Sequence, residues 1–195
     1  MQAEVEAKFL DANHDNIRAR LQELGAVCRQ PMRLMRRVII ETPEMIAQKG
    51  FVRVRDEGDK VTMTYKQFDE LTVDGAKEIE IIVSDFEQAV ALLAMAGLPY
   101  KSLQESKRET WMLGTAEVVL DEWPWLAPYI EIEAVDEKTV RSIAIQLGYG
   151  WEDAVFGDVM AAYRSEYPHL DMTDTVATLQ NVRFDDPMPD LLVPS

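Results

Sequence analysis

The sequence predicts an α+β protein: a closed antiparallel eight-stranded β-barrel with helices packed outside. Three observations support this. Polar and apolar residues alternate with period two in eight separate segments, helical stripes with capping signals interrupt them, and most of the strands carry charge of mainly one sign on their polar face.

Length and composition agree. At 195 residues the chain is most simply one domain, large enough to bury a core without disulfides or metals to staple it. The one cysteine, Cys28, cannot form an internal disulfide and is expected to be a small buried or half-buried residue. No apolar run is long enough to span a bilayer and no basic-then-apolar leader opens the chain, so a cytoplasmic location is expected. A formal charge of -15 argues against nucleic acid or an anionic membrane as partner, because both bind basic faces. Any polyanion it binds must be small and enclosed.

In the first strand, residues 1–9, Glu4, Glu6 and Lys8 alternate with Val5, Ala7 and Phe9, so two acids and a base share one face. A helix follows, which Asn13 or Asp15 can cap; Ile17, Leu21 and Leu24 fall at helical spacing and Gly25 stops it. His14 is expected on the surface, since no second His or Cys lies at metal-ligand spacing. Residues 34–41 form the second strand. Of its adjacent Arg36 and Arg37 only one can face the way of Glu4 and Glu6, and periodicity leaves open which. Residues 44–50 read as a connection. Residues 51–55 set Arg53 and Arg55 opposite Val52 and Val54, and after a turn at Gly58 and Asp59 the residues Thr62, Thr64 and Lys66 share a face against Met63 and Tyr65. Residues 76–83 set Glu78 and Glu80 against Ile79, Ile81 and Val83.

Ser84 and Glu87 have capping-box spacing, and Phe86, Val90, Leu93 and Ala94 give a helical stripe ending at Gly97. Three more strands complete the eight: 105–113 with Lys107 and Arg108, 116–122 with Asp121, and 128–135 with Glu131 and Glu133 against Ile130 and Ile132. Asp136 opens a helix carrying Val140, Ile143, Ala144 and Leu147 and closed by Gly148, and a short helix is expected around 158–167. The chain divides into a domain at 1–167 and an Asp- and Pro-rich extension at 168–195, either wrapped on the surface or partly mobile.

Strands in an open sheet over helices would carry a mixed, solvated polar face. Here arginine is prominent and the acids come as spaced pairs. Arginine suits forked contacts with phosphate oxygens, and paired carboxylates suit a hard divalent cation. Eight antiparallel strands can close around one small ligand with the charged face inward, the apolar face being buried under outer helices. Because burying an isolated charge costs roughly several kcal/mol, such an interior must be wet or hold something. A polyphosphate with bound metal ions would satisfy both signs.

The motif Glu4-x-Glu6-x-Lys8, or ExExK, together with FVRVRDEG (51–58), TYKQ (64–67), KEIEI (77–81), SKRETW (106–111) and LDEWPWLAPYIEIEA (120–134), resembles the CYTH domain of the triphosphate tunnel metalloenzymes. These segments cover roughly the first three-quarters of the chain, in order. That family includes class IV adenylyl cyclases, thiamine triphosphatases and inorganic triphosphatases. The resemblance implies Glu4, Glu6, Glu131 and Glu133 as metal-binding carboxylates for Mg2+ or Mn2+, with one or both of the last two as ligands, and Asp121 as an acid near the metal end. It implies Lys8, Arg53, Arg55, Lys66 and Arg108 as phosphate-binding residues, Glu78 and Glu80 as tunnel acids, and Lys8, Glu6 and Glu133 as the catalytic set. Ser106 stands where the family often has a basic residue, and Lys107 would point outward unless a bulge turned it. Trp123, Pro124 and Trp125 form either a lip over the mouth or a rigid turn. The implied activity is hydrolysis of the terminal phosphate of an inorganic, thiamine or nucleoside triphosphate, the short lead-in before ExExK resembling the phosphatase members. The alternatives are a class IV adenylyl cyclase making cyclic AMP and pyrophosphate, and a non-catalytic polyphosphate-binding module. The expected partner is a small triphosphate, with a homodimer left open.

Overall fold

The computed structural model describes residues 2–68, 72–73 and 76–194, with side chains from Val5 onward. Its strands are β1 (Gln2–Phe9), β2 (Val27–Ile40), β3 (Gly50–Asp56), β4 (Val61–Phe68), β5 (Ala76–Val83), β6 (Ser102–Leu113), β7 (Ala116–Glu122), β8 (Tyr129–Ala134) and the short β9 (Asn181–Val182). The helices are α1 (His14–Glu23), α2 (Pro43–Ala47), α3 (Phe86–Met95), α4 (Glu137–Leu147) and α5 (Val159–Glu166). The eight longer strands pair antiparallel in the order β2-β3-β4-β5-β1-β8-β7-β6, and β2 pairs with β6 as well as with β3, from Val27 opposite Met112 to Ile39 opposite Ser102.

Short polar side chains start the helices. Asn13, Asp85, Asp136 and Asp158 stand in extended conformation and accept from the backbone N–H of Asn16, Gln88, Thr139 and Met160. The cap of α3 is therefore Asp85 and not Ser84, and Glu87 instead reaches Arg36 at 2.9 Å. The stretch expected as a bare connection contains α2, because Thr42 accepts from Met45 N–H and Pro43 occupies the first turn, where no N–H is needed. β2 begins at Val27 and not at residue 34: register shifts between Cys28 and Arg33 absorb Pro31 without ending the strand. Cys28 falls in this irregular half and is exposed, against expectation.

The apolar faces of most strands point outward under helices. Ala7, Phe9, Val118, Leu120, Ile130 and Ile132 pack against Ile17 and Leu21 of α1 and Val140, Ile143 and Leu147 of α4. Val38 and Val54 pack under Phe86 of α3. β5 departs from this: Ile79 and Ile81 are 54% and 50% exposed, since neither helix group covers that strand. His14 also departs from expectation. The first turn of α1 lies against the start of β8, so His14 is buried and its Nε2 donates to the Tyr129 carbonyl at 3.1 Å.

The C-terminal residues make a further apolar cluster, in which Tyr163, Leu170, Val176, Val182 and Leu192 pack on Trp123 and Tyr129. β9 lies parallel to Leu103 and Gln104, a part of β6 that β7 leaves unpaired. Among the described residues no helix is long and apolar enough to cross a membrane.

Candidate active site

Alternation turns the charged face of the sheet toward one cavity of about 560 Å³. Glu6, Lys8, Arg53, Arg55, Lys66, Glu78, Glu80, Arg108, Glu131 and Glu133 all line it. The side chain of Glu4 lies outside the described residues, its backbone standing opposite Ala76. Asp121 stands behind the lining. It is 1% exposed, and its two oxygens accept from Arg108 Nε at 2.7 Å and Nη2 at 2.6 Å, so it anchors a cavity cation and does not itself face the cavity.

At the centre two acids crowd one lysine. Lys8 Nζ lies 3.4 Å from Glu6 and 3.3 Å from Glu131, Lys66 reaches Glu6 at 3.6 Å, and Arg108 reaches Glu131 at 3.7 Å. Burial and the neighbouring Glu131 hold the Glu6 carboxyl well above the usual range, although Lys8 and Lys66 pull it down. Burial also opposes the charge of Glu131, but Lys8 and Arg108 outweigh it and hold that group low. Of the two carboxyls, Glu6 is thus the one that holds a proton more readily. Lys8 stays cationic despite burial because Glu131 and Glu6 face it.

That raised carboxyl has a pH signature. In the fold Glu6 keeps its proton where the unfolded chain has lost it, so its stabilising contribution is complete below the unfolded pKa and disappears as pH rises through the folded value. The metal-free protein is expected to melt at progressively lower temperature between about pH 5 and about pH 8, and Glu6→Gln to flatten this slope. Scanning fluorimetry across a pH series reads both; equal slopes for the two proteins would remove Glu6 as the source.

Beside the acids lies a crowded cationic group. Arg37 stands opposite Arg55, and Ile39 opposite Arg53, across β2 and β3. Arg53 reaches Thr64 Oγ1 at 3.2 Å and Glu80 at 3.6 Å, while its buried Nε has no hydrogen-bond partner among the described residues. Arg55 is paired with Glu57 at 2.7 Å, and Glu57 also meets Arg33 at 3.6 Å and Lys60 at 3.8 Å. Burial and the neighbouring Arg55 push Arg37 down to about 10 and Arg53 down to about 9. The cavity therefore holds one carboxyl whose charged form burial disfavours, Glu6, together with two arginines whose charge burial and like-charged neighbours disfavour, Arg37 and Arg53.

Several lining residues escaped the sequence reading. Arg37 is the member of the arginine pair that faces the cavity; Arg36 points out to Asp56 and Glu87. Glu57 continues the parity of Arg53 and Arg55, a signal that was present but cut off at the turn. Gln104 shares the parity of Arg108 and was missed because β6 starts at Ser102 and not at residue 105; Ser106, named for its place before Arg108, lines the cavity too. Lys107 points outward without a bulge, toward Glu122 at 3.4 Å. Trp123 lines the cavity as part of a packed turn.

An α+β protein with an eight-stranded antiparallel sheet whose charged face lines one cavity is the class that fold and site define. A family model described as the CYTH domain matches residues 2–153, and the chain belongs to that family. Among solved structures, PH1012 from Pyrococcus horikoshii OT3 is 24% identical, over 77% of this chain and 93% of that one, with a TM-score of 0.65. A proposed adenylate cyclase from Vibrio parahaemolyticus is 16% identical, over 82% and 96%, with a TM-score of 0.70. HpAC1 from Hippeastrum, a proposed adenylyl cyclase with a dominant triphosphatase activity, is 14% identical, over 85% and 96%, with a TM-score of 0.55. These likenesses show the fold. No curated protein matches the chain.

Proposed function

We propose that this protein is a divalent-metal-dependent triphosphatase whose eight strands close into a barrel around the substrate. Closure is supported by the pairing of β2 with both β3 and β6. The observation that carries the reading is the buried Arg53 Nε, a donor without an acceptor among the described residues, in the same cavity as the facing carboxyl groups of Glu6 and Glu131. A triphosphate supplies oxygens to the first and brings a cation to the second.

Glu6 and Glu131 would hold Mg2+ or Mn2+, with Glu133 beside Glu6 in register. The fit is chemical: these are hard oxygen ligands, and among the described residues no group of three or more His, Cys, Asp or Glu forms a complete cage. Magnesium commonly takes one or two carboxylates and completes its shell with water and phosphate. When bound, the ion neutralises phosphate charge as a Lewis acid. Arg37, Arg53 and Arg55 bind phosphate oxygens, Arg108 is aimed by Asp121, and Lys8 stands between the acids to meet the phosphoryl group as charge builds on it. A water attacks the terminal phosphorus, the bond to the bridging oxygen breaks, and Glu133 takes the proton of the water.

A cyclase reading draws on Ile39, Phe51 and Trp123, apolar residues of the same cavity that would take a nucleobase. Incubation with Mg2+ or Mn2+ and, separately, tripolyphosphate, thiamine triphosphate and ATP, followed by phosphorus NMR, separates the readings. Orthophosphate is the expected product. Cyclic nucleotide with pyrophosphate would overturn hydrolysis in favour of cyclisation, and unchanged substrate that raises the melting temperature would leave a binding module.

A further inference from the structure

Arg37 differs from the other enclosed cations. Lys8, Arg53, Arg55, Lys66 and Arg108 each have a carboxylate within ion-pair reach. Arg37 is held by two neutral groups: its Nε donates to Gln104 Oε1 at 2.9 Å, and its guanidinium lies 4.3 Å over the ring of Trp123. Among the described residues no carboxylate makes an ion pair with it, Asp158 of the same cavity acting on it only from farther away.

Both of these holders are themselves held by chain beyond residue 153, where the family match ends. The carbonyl of Pro124 accepts from Tyr163 Oη at 2.8 Å, and that of Trp125 accepts from Tyr167 Oη. The Trp125 indole N–H donates to the Asp186 carbonyl at 3.2 Å. Trp123, 6% exposed, packs in the same cluster as Val159, Tyr163 and Val176. On the other flank, Gln104 stands opposite Val182 where β9 joins β6.

We propose that the segment from Val159 to Asp186 is a positioning element for Arg37: through Trp123 and Gln104 it sets this enclosed arginine, which has no carboxylate within ion-pair reach among the described residues, as a cation that meets a phosphoryl group of the substrate. This rests on the triphosphate reading for what Arg37 meets, but not for how Arg37 is held. Tyr163 and Tyr167 are positioning residues, acting through the turn between β7 and β8.

The test is the variant Tyr163→Phe/Tyr167→Phe, which keeps both rings and removes both donors to the turn. It is compared with Arg37→Ala and with the three changes combined. Titration calorimetry with tripolyphosphate in the absence of metal is expected to show affinity about tenfold weaker in the tyrosine variant, and no further loss when the tyrosine changes are added to Arg37→Ala, while a phosphate-release assay with metal shows the loss in KM and little change in kcat. An equal loss in both backgrounds would show general loosening and overturn the proposal. The second readout needs no ligand: the Arg37 Nε–H resonance, identified by its disappearance in Arg37→Ala and shifted by the Trp123 ring, moves toward the unstructured position in the tyrosine variant. A resonance that stays in place overturns the proposal even if the enzyme hydrolyses triphosphates. If the intact protein binds no tripolyphosphate, the phosphoryl half fails with the functional reading, and the resonance alone decides whether Arg37 is held this way. Tyr167→Phe alone serves if the double variant does not fold.

Discussion

Glu6→Gln is expected to lower kcat/KM for the hydrolysed triphosphate by at least ~10²-fold while leaving the fold intact. Outer-sphere partners of a metal already carry effects up to that size, and Glu6 is proposed as an inner-sphere ligand. The same change is expected to raise the melting temperature of the metal-free protein near pH 8, since it removes one of two buried carboxylates that face each other. It is also expected to abolish the stabilisation that Mg2+ or Mn2+ gives the native protein. Steady-state kinetics and thermal melts with and without metal check all three effects. A variant with normal turnover would remove β1 from the mechanism.

Asp121→Ala is expected to destabilise the fold by about 3–5 kcal/mol, because it leaves the Arg108 guanidinium enclosed without its partner. Both oxygens of Asp121 are committed to Arg108, and the carboxylate is 1% exposed. Glu87→Ala, which removes the exposed partner of Arg36, is expected to cost under about 1 kcal/mol. Urea denaturation of the two variants measures the contrast, and similar costs for both would show that Arg108 is solvated and not held by Asp121. Where Asp121→Ala still folds, KM is expected to rise, since Arg108 loses its aim.

Much of the site was legible because a strand has period two. Once Glu6, Arg53, Lys66, Glu78 and Glu131 are placed on strands, parity alone sends each to the face opposite Ala7, Val54, Ile79 and Ile132. Parity does not fix where a strand begins. Pro31 and the serine at 102 hid the early halves of β2 and β6, and with them Gln104. Nor does it choose between neighbours: Arg36 and Arg37 became distinguishable only when β2 was paired with β3, placing Arg37 opposite Arg55. The burial of His14, the exposure of Ile79 and Ile81, and the docking of Tyr163 on the Pro124 carbonyl depend on contacts between segments far apart in sequence, and short-range pattern carries no trace of them.

If one cavity binds a triphosphate through its arginines and a metal through its acids, each ligand favours the other. Calorimetric titration of tripolyphosphate with and without Mn2+ measures this coupling. Binding is expected to tighten about tenfold or more when Mn2+ is present, with Arg53→Ala weakening it under both conditions and Glu6→Gln removing only the metal-dependent gain. Tripolyphosphate affinity that is indifferent to Mn2+, to Arg53→Ala and to Glu6→Gln would rule out a shared triphosphate and metal site in this cavity.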